Sequence, residues 1–212
     1  MTSIADIRTD YKLQSLNEED ANSPFELFEK WWQEALTAQI EEVNAMTLAT
    51  ASADAVPSAR IVLLKGYDHK GFVFFTNYNS FKGQQLEENP RATLVFFWKE
   101  LERQVRITGL VSKTSDEESD QYYHSRPEGS RLGAWASPQS QVIENRQWLE
   151  DNEKQFREKF AGQQVPRPPH WGGYRVKPVS FEFWQGRSSR LHDRLQFGLL
   201  SDGVWQLERL AP

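Results

Sequence analysis

The sequence contains a series of short apolar runs: MTLAT (46–50), ARIVLLKGY (59–67), GFVFFT (71–76), ATLVFFW (92–98) and RQVRITGLV (103–111). The runs are rich in β-branched and aromatic residues and are separated by Gly, Asp, Asn and Pro, a pattern typical of consecutive β-strands. Because the runs are apolar on both faces, a closed or nearly closed barrel is favoured over an open sheet with one wet side. The sequence therefore predicts a mainly β fold, an antiparallel β-barrel with peripheral helices.

Three further strands are predicted near the C-terminus, in YRVKPVSFEFWQ (174–185), RLQFGLLS (194–201) and VWQLERL (204–210). Asp202-Gly203 joins the last two as a two-residue hairpin signal. Three strands alone would make a poor domain, so we expect them to complete the same sheet. The Pro- and Gly-rich stretch AGQQVPRPPHWGG (161–173) is expected to be irregular.

Helices are predicted around these strands. Ser23-Pro24 starts the first, with Ser23 and Glu26 as a possible capping box and one apolar stripe along Phe25, Phe28, Trp32, Leu36, Ile40 and Val43. Others are expected at 80–88, from Ser115 to near Pro127, and at 142–160, with Ser115 and Glu118 as a second capping box. Residues 1–22 show no sustained period and are predicted to be a mobile N-terminal arm. Residues 23–212 are then one domain.

Composition excludes several classes of function. Twenty-five Lys and Arg stand against 30 Asp and Glu, a formal charge of -5, so nucleic-acid binding by bulk phosphate attraction is not expected and any anion site must be local. The absence of Cys excludes disulfides, thiolate metal sites and a Cys nucleophile, and fits a reducing cytoplasm. No window approaches the ~20 apolar residues that span a bilayer, so a soluble intracellular protein is predicted, with no membrane partner. The four His are scattered, so no metal site is expected.

Three segments carry candidate anion-binding groups. The strand from Arg60 to Lys65 has a basic residue at each end. Either these two side chains bind an anion or they are strand ends that lie in solvent. The polar turn after Thr76 leads into a helix with Lys82 in its first turn, where backbone N–H groups can hold a phosphate. Tyr122, Arg126 and Ser130 combine hydroxyls with a guanidinium and suit a phosphate monoester. For the last segment a solvated helix end is the alternative.

The segment from Arg187 to Arg194 is harder to explain structurally. In a strand, Arg190, His192 and Arg194 share one face. Three potentially positive groups on one face are costly unless an anion or a π-system meets them.

Eight segments carry a family resemblance: PSARIVLLK (57–65), FFTNYNSFKG (74–83), LERQVRITG (101–109), QYYHSRPEGS (121–130), GAWASPQS (133–140), WGGYRV (171–176), EFWQGRSSRLHDR (182–194) and ERLAP (208–212). In this order they resemble the pyridoxamine (pyridoxine) 5′-phosphate oxidase family over nearly the whole chain. The resemblance implies an FMN-binding split β-barrel, a cytoplasmic homodimer, and FMN sites at the subunit interface.

The resemblance also implies roles for individual residues. FMN contacts are expected at Arg60, Ile61, Val62, Leu63, Leu64, Lys65, Phe75, Thr76, Lys82, Gln104, Gln139, Ser140, Trp184 and Arg194. Substrate contacts are expected at Arg8, Tyr11, Lys65, Tyr122, Arg126, Ser130, Arg190 and His192. Arg190 and His192, beside the substrate ring, are the expected catalytic residues.

Two positions depart from the family pattern. Phe81 stands where family members usually carry Arg, so one guanidinium on the FMN phosphate is absent. Phe75 stands where the family usually has Tyr, which keeps the ring and loses its hydroxyl.

The implied activity is oxidation of pyridoxamine or pyridoxine 5′-phosphate to pyridoxal 5′-phosphate, in vitamin B6 metabolism. The hydride passes to FMN, with O2 as final acceptor and H2O2 as product. Two alternatives remain: a related flavin oxidase of the phenazine type, and a non-catalytic protein that binds FMN or pyridoxal phosphate.

Overall fold

The computed structural model describes residues 3–7 and 9–212, and in this part of the chain the apolar runs form nine β-strands. The strands are β1 Ala45–Ala51, β2 Pro57–Leu63, β3 Gly66–Asp68, β4 Gly71–Asn77, β5 Arg91–Trp98, β6 Arg103–Lys113, β7 Trp171–Gln185, β8 Asp193–Leu199 and β9 Trp205–Arg209. The α-helices are α1 Pro24–Thr37, α2 Phe81–Glu88, α3 Asp116–Ser125, α4 Glu128–Ala136 and α5 Arg146–Lys159. Short 3-10 helices cover Ile4–Asp6, Glu18–Asp20, Lys99–Leu101 and Ser188–Arg190.

Strand β7 organises the sheet, because it pairs with three neighbours. Its first half pairs with β4, its second half pairs with β8, and β6 runs along nearly its whole length. The register between β6 and β7 shifts at Thr108/Gly109, where Gly109 pairs with Pro178. This shift separates the half of β7 that pairs with β4 from the half that pairs with β8. The sheet therefore divides into one branch through β4 and β3 and another through β8 and β9.

Every strand pairing is antiparallel, and the main path runs β2-β1-β5-β6-β7-β4-β3. Within the described residues no strand pairing joins β2 to β3, so the barrel is open rather than hydrogen-bonded all round. The prediction of a mainly β, antiparallel barrel with peripheral helices is confirmed, as is the addition of the late strands to the same sheet. The hairpin around Asp202-Gly203 is also confirmed, although its turn has three residues, Ser201 to Gly203, between Leu200 and Val204 rather than the two predicted.

The core lies between the sheet and α1. Phe28 is fully buried, and its ring meets those of Phe72, Phe96 and Tyr67 with centroids 4.9, 5.5 and 5.0 Å apart. Such edge contacts add to the burial energy of the rings themselves.

The predicted apolar stripe of the first helix was partly wrong. The helix ends at Thr37, and its buried face is formed by Pro24, Leu27, Phe28, Trp31 and Ala35. Leu36 is exposed, and Ile40 and Val43 lie beyond the helix. The expected cap at Ser23 was also wrong, because its side chain makes no capping hydrogen bond.

The other helices agree with the predicted bounds to varying degrees. Ser115 caps α3 by accepting from the N–H of Glu118, and α3 ends before Pro127 as predicted. The last predicted helix starts at Arg146 rather than Val142, because Asn145 caps it. Helix α4 was not predicted, since its two glycines weaken the helical pattern.

Strand β7 begins at Trp171, so the expectation that the connection stays irregular through Gly173 was wrong. A side chain at Gly172 would place Cβ 2.1 Å from the Tyr78 hydroxyl. Glycine here therefore serves close packing inside a strand rather than a turn.

Part of the predicted arm lies against the barrel. Leu16 and Ala21 are buried, and the N–H of Leu16 donates to Asp193 at 3.1 Å. The mobility of residues 1–22 stays a prediction. In the described part of the chain, no helix has both the length and the apolar character of a transmembrane segment.

Candidate active site

A cleft of about 660 Å³ brings together most of the predicted phosphate-binding residues. It lies between strands β2 and β4 and helices α3 and α4. Its lining is Arg60, Ile61, Val62, Leu63, Lys65, Phe75, Thr76, Asn77, Lys82, Tyr122, Arg126, Ser130, Gly133, Ala134, Ser137, Gln139 and Trp171. Four of these side chains are cationic, and none of the described lining residues is Asp or Glu.

Lys82 is held in the first turn of α2, which Ser80 caps through the N–H of Gly83. Its ammonium donates to Gln139 Oε1 at 3.2 Å, to Thr76 Oγ1 at 3.3 Å and to Ser80 Oγ at 3.4 Å. These partners are neutral oxygens, and the side chain is nearly buried. Burial and the nearby charge of Arg60 lower the pKa of Lys82 to about 8.

Arg60 is oriented by hydroxyls rather than by a carboxylate. Its guanidinium donates to Thr50 Oγ1 at 2.6 Å and to Ser58 Oγ, and both hydroxyls donate to Gln85 Oε1. Burial lowers its pKa. Arg60 and Lys82 thus place two positive charges beside each other with neutral partners, an arrangement that an anion such as a phosphate stabilises.

A second cationic group surrounds Tyr122. The Tyr122 and Phe75 rings stack with centroids 4.0 Å apart, and Lys65 Nζ lies 5.9 Å from the Tyr122 centroid. Arg126 lies 4.7 Å above the Trp171 ring, and its Nη1 is buried with no hydrogen-bond partner. Burial lowers the pKa of Arg126. A buried guanidinium nitrogen without an acceptor is costly, so a ligand oxygen fits here.

Another cleft, of about 470 Å³, lies on the other branch of the sheet. Its lining includes Tyr11, Arg187, Ser189, Arg190 and His192, and it shares no described lining residue with the cationic cleft.

The Trp184 ring lies between this second cleft and the strands. Its centroid is 4.6 Å from that of His192 and 5.8 Å from that of Tyr11. Gln104, Trp184 and Arg194 are directly opposite one another on β6, β7 and β8, so they share one face of the sheet. Arg194 is not free on this face, because it donates to Glu182 at 3.1 Å and to the carbonyl of Ala211.

The prediction that Arg190, His192 and Arg194 share a strand face was wrong. Residues Ser188–Arg190 form a 3-10 turn, and β8 begins only at Asp193. Ser189 and Arg190 both have left-handed φ angles, 56° and 62°. Such angles are uncommon outside glycine and occur often at functional sites.

The same turn fixes the proton on His192. The backbone N–H of Arg187 donates to His192 Nδ1 at 3.0 Å, so the neutral ring carries its proton on Nε2. Burial and the charge of Arg190 lower the pKa of His192, against a smaller opposite effect of Asp193.

Five predicted residues in the described chain line neither cleft: Gln104, Trp184 and Arg194 on the sheet face described above, and Leu64 and Ser140. Leu64 is in the hydrophobic core, and its N–H donates to the carbonyl of Asn44. Ser140 is exposed, with a left-handed φ of 71°, next to Gln139 on the loop after α4. Phe81, the departure from the family pattern, is 52% exposed at the start of α2. Arg8 lies outside the described residues.

Five residues that line the large cleft were not predicted as site residues, and Trp171 is the aromatic one among them; the others are Asn77, Gly133, Ala134 and Ser137. Trp171 stacks on Phe75 at 5.6 Å and supports Arg126. Its place in WGGYRV, one of the segments that carry the family resemblance, was the available signal.

Fold and site together define the class: an open antiparallel β-barrel with a cationic, aromatic-walled cleft. The family model for pyridoxamine 5′-phosphate oxidase matches residues 32–160, and that for the pyridoxine 5′-phosphate oxidase C-terminal dimerisation region matches residues 171–212. The chain belongs to the pyridoxine/pyridoxamine 5′-phosphate oxidase family.

Individual relatives support this family assignment. The chain is 60% identical to a pyridoxine/pyridoxamine 5′-phosphate oxidase of Ralstonia pickettii, with 100% of both chains covered. It is 58% identical to one of Trichormus variabilis, over 99% of this chain and 98% of the relative.

Solved structures agree on the fold. PhzG of Burkholderia lata, solved with tetrahydrophenazine-1-carboxylic acid, has a TM-score of 0.87 at 30% identity, covering 94% of this chain and 99% of that one. A pyridoxamine 5′-phosphate oxidase-related, FMN-binding protein of Nostoc punctiforme has a TM-score of 0.70 at 16% identity, covering 91% and 100%, and supports the fold alone.

Proposed function

We propose that this chain oxidises pyridoxamine 5′-phosphate or pyridoxine 5′-phosphate to pyridoxal 5′-phosphate with FMN as cofactor and O2 as final acceptor. The alcohol and O2 give the aldehyde and H2O2, and the amine also consumes water and releases ammonia. Membership of the family makes the chain an oxidoreductase with FMN as its cofactor. A cytoplasmic location is part of the proposal and rests on the cysteine-free composition.

The observation that carries the proposal is the division of the cleft into two cationic groups. Arg60 and Lys82 suit one phosphate, and Lys65 with Arg126 beside Tyr122 suits a second. The reaction brings together two ligands that each carry a phosphate, the cofactor and the substrate. The residues present therefore fit both.

We assign the remaining roles from the same geometry. Thr76 and Gln139 hold the Lys82 ammonium in place, while Tyr122, Arg126 and Ser130 bind the substrate phosphate and so orient its ring. When bound, FMN would accept the hydride that leaves substrate C4′, and with it both electrons of the oxidation. Because FMN supplies the redox chemistry, the reaction needs no nucleophilic side chain from the protein.

His192 and Arg190 are proposed to handle the substrate ring. His192 remains neutral at neutral pH because its pKa is lowered, and it presents an Nε2–H as a donor. Arg190 supplies a fixed positive charge beside it.

We further propose that two copies of the chain pair and that each site is completed across the interface. Trp184, Arg190, His192 and Arg194 all lie in the region that matches the dimerisation model, residues 171–212. Under the proposed roles the phosphate-binding groups line one cleft and His192 lines the other, so a complete site would use both clefts.

The test is an absorbance spectrum of the purified protein followed by anaerobic mixing with pyridoxine 5′-phosphate. Bound flavin that bleaches on mixing supports the proposal, and H2O2 should appear when O2 is admitted. Bound flavin that keeps its absorbance would instead identify a non-catalytic binding protein.

A phenazine-type oxidase is the competing function, since PhzG shares the fold at a TM-score of 0.87. The acid in that structure carries no phosphate, whereas Arg126 offers an unpaired buried nitrogen suited to one. Relatives near 60% identity also favour the phosphorylated substrate. Bleaching by a reduced phenazine carboxylate, and not by pyridoxine 5′-phosphate, would reverse this choice.

A further inference from the structure

The Tyr11 ring lies directly on the backbone at Gly186. A Cβ added at Gly186 would be 2.7 Å from Tyr11 Cγ and 2.8 Å from Cδ2, so only glycine allows this approach. The ring meets Trp184 edge-on, with an angle of 89° between the planes, and has its centroid 6.1 Å from that of His192. Tyr11 thus forms one wall of the cleft that contains His192.

Glu102 holds the chain immediately after Tyr11. Its Oε2 accepts the N–H groups of Lys12 at 2.9 Å and Leu13 at 3.0 Å. A carboxylate that accepts two backbone N–H groups makes charge-assisted hydrogen bonds, which are stronger than neutral ones. The residue is only 9% exposed, so its carboxylate is shielded from competing water.

Glu102 also holds the strand end beneath the ring. Its carbonyl accepts the N–H of Gly186 at 2.7 Å and the side-chain amide of Gln185 at 3.3 Å. One residue therefore fixes both the segment that carries Tyr11 and the glycine on which Tyr11 rests.

A separate clamp holds the segment farther along. Arg209 donates to both carboxylate oxygens of Glu18, at 2.6 and 2.9 Å, and to Asp193 at 2.9 Å. Asp193 in turn accepts the N–H of Leu16. This clamp retains the segment on the barrel even when Glu102 is changed.

We propose that Glu102 is a positioning residue that acts on the substrate through Tyr11. Its carboxylate sets the backbone at residues 12 and 13 so that the Tyr11 ring stays between Gly186, Trp184 and His192 as a wall of the substrate site. The role in substrate binding rests on the proposed function, whereas the coupling between Glu102 and the backbone after Tyr11 does not.

The experiment compares Glu102→Gln, Tyr11→Ala and the double variant, with Glu100→Gln as control. Glutamine keeps the size of the side chain and removes its charge, and Glu100 is an exposed carboxylate two residues away. Hydrogen exchange at the amides of residues 12 and 13 is measured without added ligand, and KM for pyridoxine 5′-phosphate, kcat and FMN content are measured in the holoenzyme.

Glu102→Gln should speed exchange at residues 12 and 13, raise KM about fivefold and leave FMN content unchanged, because weaker hydrogen bonds release the ring. In the Tyr11→Ala background the same change should move KM by less than about twofold, since the group it positions is gone. Glu100→Gln should match the wild type throughout. Gly186→Ala should raise KM with Glu102 intact, because its Cβ displaces the ring.

Unchanged exchange in Glu102→Gln would overturn the proposal, and so would KM effects that multiply fully in the double variant. Loss of FMN together with slower refolding would show a general structural role, which also overturns it. If the wild-type holoenzyme does not turn over pyridoxine 5′-phosphate, the proposed function fails, and the exchange data still decide whether Glu102 holds the segment.

Discussion

Replacing Lys82 by Met should have opposite effects on stability and on cofactor binding. Lys82 is 8% exposed, and its ammonium donates only to neutral oxygens. Burial and the nearby charge of Arg60 lower its pKa from 10.5 to about 8. That difference corresponds to roughly 3 kcal/mol against the protonated form in the folded protein. Without FMN, Lys82→Met should therefore raise the free energy of unfolding at pH 7 by up to about 3 kcal/mol.

The sign of the pH dependence follows from the lowered pKa. Below pH 8 Lys82 is protonated in both the folded and the unfolded chain, so the unfavourable charge is fully present. As the pH rises from 8 towards 10.5, the folded chain loses the proton first and the wild type gains stability. The difference between the wild type and Lys82→Met, measured by urea unfolding of the FMN-free proteins, should shrink over this interval.

FMN binding should change in the other direction. A charge-assisted hydrogen bond contributes about 1.5–3 kcal/mol, so Lys82→Met should weaken FMN binding by roughly 10- to 150-fold in a titration of flavin fluorescence. For the wild type, a bound phosphate raises the pKa of Lys82, so Kd should increase above pH 8 by up to about tenfold per pH unit. Lys82→Arg, which stays protonated, should remove this dependence.

The reasoning would be refuted by an FMN-free Lys82→Met protein less stable than the wild type at pH 7. A wild-type Kd that stays constant from pH 7 to pH 9.5, or a dependence that persists in Lys82→Arg, would equally refute the assignment of Lys82 to a phosphate.

Three other substitutions test the remaining parts of the site. Arg126→Met should raise KM for pyridoxine 5′-phosphate by about 10- to 150-fold in steady-state assays, because the unpartnered Nη1 is assigned to the substrate phosphate. FMN affinity should stay unchanged, and a matching loss of FMN would contradict that assignment. The profile of kcat/KM should fall on the acid side as His192 becomes protonated, with its pKa lowered from the ordinary 6.5. Arg190→Met should move this limb to higher pH by removing a neighbouring charge, and an unmoved limb would argue against the roles given to the two residues. Phe81→Arg should tighten FMN binding about tenfold in fluorescence titration, as a new guanidinium reaches the phosphate, and an unchanged Kd would show that this chain compensates for Phe81 elsewhere.

The sheet could be predicted because its information is local. Short runs of β-branched and aromatic residues, such as the one from Gly71 to Asn77, define strands without reference to the rest of the chain. The antiparallel order of neighbouring strands also follows from short connections. The division of β7 between two branches could not be predicted, because it depends on a register shift opposite Pro178 that leaves no periodic signal.

The residues of the two clefts could be predicted from the sequence to different degrees. Lys82 at a capped helix start is a local pattern, and the structure places it beside Thr76 as that pattern requires. The turn before β8 is not a local pattern of this kind, because Ser189 and Arg190 adopt left-handed φ angles that residues other than glycine rarely take. Alternation along an assumed strand therefore misplaced Arg190 relative to Arg194.

Pairing with carboxylates separates three structural cations of this chain from the four cations of the large cleft. Arg103, Arg167 and Arg175 each contact at least one Asp or Glu, and they tie α1, α3 and β7 to their neighbours.

The four cations of the large cleft have neutral or aromatic partners instead. In a chain with a net charge of -5, carboxylates are abundant enough to have paired with them, so the absence of any described acid from this lining reflects what the cleft binds rather than what the composition allows. Such a site carries an electrostatic cost in the free protein at neutral pH, as the lowered pKa of Lys82 shows, and an anionic ligand relieves that cost.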